Sequence, residues 1–260
     1  MEGMFYLAAE NGNAEELQEI LRNNPNLDVN WRNENENGST ALIIACENDH
    51  DSIVSILLAH PDIDVNLKDL DGWTPFSSAC WYGYTSCARL LLKDSRVMVN
   101  EPSGYGYTPL WRAAFKGHLN VIKWWIASGR EMNLGTPGSS KTDAIMKAKD
   151  VAETEVVALL ERFKENPVET RHQVRLELGL VDEMAAEMFA MVVFVSDGLL
   201  QVTRGDGSTS ASPAARFFAI VSRLPLELQM VLCYRVAGSD KEIIHAEDSE
   251  VAFRELAKRI

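Results

Sequence analysis

Short apolar blocks recur through the first two thirds of the chain, in pairs split by a glycine or an aspartate and followed by a polar stretch. Leu42 to Cys46 is followed by Ile53 to Leu58, Phe76 to Trp81 by Cys87 to Leu92, and Leu110 to Phe115 by Val121 to Ile126. Blocks of this length, with apolar residues three and four apart, predict pairs of short helices. The first block of each pair carries a small couple (Ala45-Cys46, Ala79-Cys80, Ala113-Ala114) and stops at Asp49-His50, Gly83-Tyr84 or Gly117-His118. Small residues let two helices approach closely, and glycine ends a helix in a left-handed turn.

The pattern is periodic. Thr40, Thr74, Thr108 and Thr142 are each 34 residues apart. In the first three the threonine opens Thr-Ala-Leu, Thr-Pro-Phe or Thr-Pro-Leu. A hydroxyl at a helix start accepts from free backbone N–H groups, and proline fits the first turn. The units close with Asp64-Val65-Asn66, Met98-Val99-Asn100 and Met132-Asn133. An earlier copy runs from Leu7-Ala8-Ala9 through Asn11-Gly12-Asn13 and Ile20-Leu21 to Asp28-Val29-Asn30. A polar insertion, Asn33 to Asn37, separates it from the next. A last copy, Thr142 to about Phe163, keeps Val156-Val157 and Leu159-Leu160. No such unit buries its apolar face alone, so the units must stack.

These features resemble the ankyrin repeat, with its Thr-Pro-Leu-His-x-Ala signature, over about residues 3–165 and about five copies. Ile43, Ser77 and Trp111 stand where the signature has histidine. The resemblance implies an all-α solenoid of helix-turn-helix repeats with short β-hairpin turns. It also implies a surface that binds proteins. Positions after the small couple then face a groove: Glu10-Asn11, Glu47-Asn48, Trp81-Tyr82 and Phe115-Lys116. Asn37 and Ser39, Asp71 and Trp73, and Tyr105 and Tyr107 fall near hairpin tips. On this alignment the candidate protein-binding residues are Trp73, Trp81, Tyr82, Tyr105, Tyr107, Phe115 and Lys116. Exposed Trp and Tyr bury large area at low entropic cost, which suits binding. Trp124 and Trp125 align with core positions of the second helix.

Residues 166–260 read as a separate helical module that caps the stack or docks another protein. Asn166-Pro167 opens one helix, ending at Gly179. A second, Val181 to about Ser196, is apolar on all sides. Thr203 to Ser212 reads as a loop. Further helices start at Ser212-Pro213, Leu224-Pro225 and about Asp248. Leu224-Pro225-Leu226-Glu227-Leu228, continued by Val231-Leu232, is similar to the opening of an F-box. That resemblance implies an alternative function, a substrate receptor of a cullin-type ubiquitin ligase. Cys233 to Ser239 lacks the Leu-x-x-x-Asp-Leu continuation of that module.

Composition narrows the function further. Hydrophobic residues make up 46% and charged residues 24% of 260, as in ordinary globular domains. The net charge is −13, and residues 1–100, with sixteen acids and six bases, carry −10 of it. Such a surface repels nucleic acid and anionic lipid and favours a protein partner with a basic or aromatic-binding surface. The densest apolar run, Phe189 to Val195, falls short of the roughly 20 residues a membrane span needs. Neither a secretory leader nor a membrane segment is expected, which places the chain in cytoplasm or nucleus, as a monomer. Four cysteines without close pairing give no disulfide framework or zinc site. Cys46 and Cys80 read as small packing residues. No nucleophile elbow, phosphate cradle or paired histidine is present, so neither an active site nor a cofactor is expected.

Overall fold

The computed structural model describes residues 1–196, 221, 226–237 and 252 of the chain. It divides into two compact units, residues 1–174 and 175–260.

The first unit holds five helix pairs. The inner helices are α1 (Glu2–Glu10), α3 (Ala41–Glu47), α5 (Pro75–Tyr82), α7 (Pro109–Phe115) and α9 (Ala144–Asp150). The outer ones are α2 (Ala14–Asn23), α4 (Asp51–Leu58), α6 (Thr85–Lys93), α8 (Leu119–Ser128) and α10 (Thr154–Glu165). Each inner helix packs on the inner helix of the next pair, and each outer helix on the next outer one. The couples Ala45-Cys46, Ala79-Cys80 and Ala113-Ala114 are fully buried, as close helix approach requires. All four cysteines are buried free thiols. The first hairpin is the only strand pair among the described residues. In it β1 (Arg32–Asn33) pairs antiparallel with β2 (Ser39–Thr40) around a 3-10 turn at Glu34–Glu36. Later connections close through two backbone bonds each, Asp69 N–H to Trp73 O at 3.0 Å with Gly72 N–H to Asp69 O at 3.1 Å, and Ser103 N–H to Tyr107 O at 3.0 Å with Gly106 N–H to Ser103 O at 2.8 Å.

The threonines do what their position predicts. Thr40, Thr74 and Thr108 Oγ1 accept from Ile43, Ser77 and Trp111 N–H at 3.3, 3.2 and 3.3 Å. At Thr74 the cap is reciprocal, because Ser77 Oγ accepts from Thr74 N–H at 2.9 Å. The fourth step departs from the 34-residue register. α9 is capped by Asp143, whose carboxylate accepts from Met146 N–H at 2.9 Å, while Thr142 Oγ1 accepts from Thr136 N–H. The step is therefore 35 residues, and Met146 and Lys147 correspond to Trp111 and Arg112. Ser39 is buried rather than at an exposed tip, because it lies in the returning strand β2, paired with Asn33 and next to the capping Thr40. Trp125 is core, packed edge-on against Phe76 at 4.9 Å. Trp124 is only half-buried, with Arg89 over its ring at 4.9 Å. It departs from the core expectation because its outer-helix position is half-exposed in the other copies too, at Ile56 and Leu90.

Side chains lock each pair to the next. Asn30, Asn66 and Asn100 donate to Asp62, Arg96 and Glu131 carbonyls at 2.8, 2.9 and 3.1 Å. Each Oδ1 also accepts from the following unit, from Asp64, Met98 and Asn133 N–H at 2.8, 2.7 and 3.0 Å. The ring Nε2 atoms of His50 and His118 lie 2.9 and 2.8 Å from the Glu10 and Trp81 carbonyls of the preceding pair. Those rings occupy the space left by Gly12 and Gly83, both at positive φ. Where the preceding stop is Asp49 instead of glycine, the histidine place holds Tyr84, which stacks on Tyr82.

In the second unit, α12 (Leu180–Ser196) and α13 (Leu226–Ala237) pack around Phe189, Ala190, Val192, Cys233 and Tyr234. α11 (Pro167–Glu177) lies mostly in the first unit, where Arg171 Nε donates to Ile126 O at 3.1 Å, and Gly179 follows it at φ +70°. The sequence-predicted loop Thr203–Ser212 and the helix starts at Ser212, Leu224 and Asp248 lie outside the described residues. So do Leu224 and Pro225 of the F-box-like segment. Among the described residues no helix is long and apolar enough to cross a membrane, and no group of three or more His, Cys, Asp or Glu could hold a metal.

The glycine pockets are testable. Gly83 and Gly138 share a positive φ, but a methyl on Gly83 would collide with the His118 ring, whereas Gly138 faces open space. Gly138→Ala should cost about 1 kcal/mol, the left-handed backbone alone. Gly83→Ala should cost about 3 kcal/mol, and with His118→Ala less than the two changes separately. Urea melts showing equal costs at 83 and 138 would contradict the pocket.

Candidate protein-recognition face

On one side of the inner helices two positions a turn apart recur from repeat to repeat, the later one half-exposed at Trp81 and Phe115. Position by position, Glu47 and Phe115 end α3 and α7, and Trp81 is the last residue but one of α5. Ile44, Ser78, Arg112 and Lys147 lie one turn earlier, at the places that the caps at Thr40, Thr74, Thr108 and Asp143 define. The first repeats are thus acidic and the later ones aromatic and cationic.

Five rings run in sequence across the third and fourth repeats. Trp73 meets Trp81 edge-on at 5.6 Å, Trp81 lies 5.8 Å from Phe115, Phe115 stacks on Trp111 at 5.4 Å, and Trp111 meets Tyr107 at 4.5 Å. Four cations lie on these rings. Arg112 sits 3.5 Å from the Trp73 centroid, Lys116 Nζ 4.3 Å from Trp81, Lys147 Nζ 4.8 Å from Phe115 and Lys141 Nζ 5.9 Å from Tyr107. A cation over a ring face is attracted by its quadrupole, by about 0.5–2 kcal/mol depending on desolvation.

The seven residues singled out from the sequence divide into two groups. Trp73, Trp81, Tyr107, Phe115 and Lys116 converge on this ladder. Tyr82 and Tyr105 do not. Tyr82 stacks on Tyr84 at 5.8 Å and remains exposed. Tyr105 stands at the hairpin tip, 59% exposed, where its hydroxyl donates to Asp71 Oδ1 at 3.0 Å. The other Asp71 oxygen accepts from Asn37 at 2.8 Å, so three tips 34 residues apart form one hydrogen-bonded row. Trp111, Arg112, Lys141 and Lys147 belong to the ladder and were not singled out. Trp111 passed as a replacement for the signature histidine. Lys147 aligns with Arg112 only once the last step is read as 35.

Arg112 is the unusual member. It is 3% exposed, and its Nε meets no acceptor among the described residues. Burial pushes its guanidinium down to about 10, with Cys80, Asp69, Asp71 and Tyr107 acting weakly the other way. It therefore stays charged at neutral pH. On the acidic side, burial raises Glu47, against the hydrogen bond it accepts from Ser78 Oγ at 3.2 Å.

The family model for ankyrin repeats matches three copies, over residues 5–101 and 63–136, together just over half of the chain. With the stacked helix pairs and the threonine caps, this places the chain in the ankyrin-repeat family, whose repeats form a protein–protein interaction module. Part of the chain is 44% identical over 52 residues to SMC5-SMC6 complex localization factor protein 1 of Bos taurus, which covers 20% of this chain and 5% of that protein. It is 33% identical over 75 residues to human Rabankyrin-5, covering 29% of this chain and 6% of the relative. The match thus spans about a twentieth of the relatives' length.

An unpaired buried charge costs stability. Arg112→Met keeps most of the volume and removes the charge, so it should leave the melting temperature unchanged or raise it. A fall of several degrees in thermal melts would mean that stacking on Trp73 more than offsets burial.

Proposed function

We propose that the chain is a non-enzymatic recognition module whose partner protein docks across the third to fifth repeats, on the ladder from Trp73 to Tyr107. The single observation that carries this reading is the ladder itself. Trp81 and Phe115 stand half-exposed at positions where the second repeat has Glu47. A core needs no aromatic residue there. Large rings at the centre of a surface are where binding energy concentrates, because a partner removes much area from water while few rotors are frozen. Tyr82, Tyr105 and Lys116 form the rim. Stacking holds the rings in place before the partner arrives, which lowers the entropic cost of docking. Glu10 and Glu47 offer basic partner groups a place on the earlier repeats.

Trp81→Ala combined with Phe115→Ala should leave helical circular dichroism nearly intact and weaken partner binding by about 2 kcal/mol per ring. Trp124→Ala, on the outer layer, should leave binding unchanged. The comparison is quantitative affinity purification with the unaltered chain and the two variant forms. Partners retained by the folded double variant but lost by Trp124→Ala would refute the assignment.

A further inference from the structure

The face around Phe115 carries two lysine ammonium groups without an ion-pair partner among the described residues. Lys116 Nζ and Lys147 Nζ lie 5.6 and 4.8 Å from the Phe115 ring centre. Arg112 lies in the same turn of α7, with an orphaned Nε, and Trp111 Nε1 beside it also lacks an acceptor. Asp69 and Asp71 act on Arg112 but are held in the hairpins, Asp69 by Trp73 N–H at 2.7 Å and Asp71 by Asn37 and Tyr105. The Glu153 carboxylate, against Gly117, makes no ion pair with either lysine among the described residues. Two ammonium groups without an ion-pair partner on one aromatic surface favour acidic acceptors from outside the chain.

We propose that the third to fifth repeats receive an acidic segment of the partner, a glutamate or aspartate beside an apolar residue. The carboxylate seats between Lys116 and Lys147, over the buried charge of Arg112, and the apolar neighbour packs on the exposed edges of Trp81 and Phe115. This rests on the groove reading above and gives it a chemistry. It also gives the segment a direction, since the acidic part must lie toward α9, away from Glu10 and Glu47. A local acidic segment suits the site better than a nucleic acid. A phosphate backbone following the groove would run into the acids of residues 1–100, which carry −10 net, and like charges there are repelled.

The test uses the full chain and a panel of fluorescent peptides with one Leu-Tyr centre flanked by glutamates, lysines or glutamines, together with oligothymidylate. The glutamate peptide should bind about tenfold tighter than the glutamine one, with affinity falling as salt rises. Lys116→Glu with Lys147→Glu, at an exposed and a half-exposed position, should abolish that preference, and Arg112→Met should reduce it. If all peptides bind alike and all weaken with Trp81→Ala, the groove reading stands and the acidic segment is wrong. If peptide binding is indifferent to Trp81→Ala, the groove reading falls and takes this inference with it. Absence of peptide binding, or tighter binding of oligothymidylate than of the glutamate peptide, would likewise overturn it.

Discussion

The asparagine closing each unit ties the first unit of the chain together, because its single amide serves two repeats at once. Asn30, Asn66 and Asn100 each donate to one carbonyl and accept from one N–H of the unit that follows. That pair of bonds fixes both distance and rotation between neighbours. The histidines at the other end of the inner helices add a second point of attachment, on the carbonyl of the preceding repeat. Each such bond contributes only about 1 kcal/mol net. They hold the register in which Ala, Cys and Leu faces interlock, and that burial supplies most of the stability.

Once the register is fixed, every repeat presents equivalent positions at a constant spacing, and the identity of the residue there is unconstrained by the core. Trp81, Phe115, Arg112 and Lys147 exploit that freedom. Their rings and cations meet because adjacent inner helices are in packing contact, so a residue on one helix covers its counterpart on the next. The cost is visible at Arg112, a charge kept out of water with an orphaned Nε and only the more distant pull of Asp69 and Asp71.

The fold was legible because its causes are local and repeated. Thr40, Thr74 and Thr108 cap helices by the same hydrogen bond each time, and Gly83 and Gly117 stop them by the same left-handed turn. The fourth repeat boundary was misread by one residue because Thr142 mimics the motif while the neighbouring Asp143 makes the cap. Part of the site was legible too, since Trp81 and Phe115 follow the small couple at a fixed offset. Arg112 and Lys147 were hidden, as partners across a repeat interface cannot be paired until the register of both repeats is known. Tyr82 and Tyr105 looked equivalent to the ladder residues, but helix rotation turns Tyr82 toward Tyr84, and a tip hydrogen bond holds Tyr105 away.

The six tryptophans offer a direct measurement, because three of them (Trp73, Trp81, Trp111) belong to the ladder and three (Trp31, Trp124, Trp125) do not. Their indole N–H resonances can be followed separately by nuclear magnetic resonance while the tightest-binding peptide of the charged panel is added. Recognition on the ladder predicts that the signals of Trp73, Trp81 and Trp111 move and the other three stay in place. Shifts confined to Trp31, Trp124 or Trp125 would contradict the account.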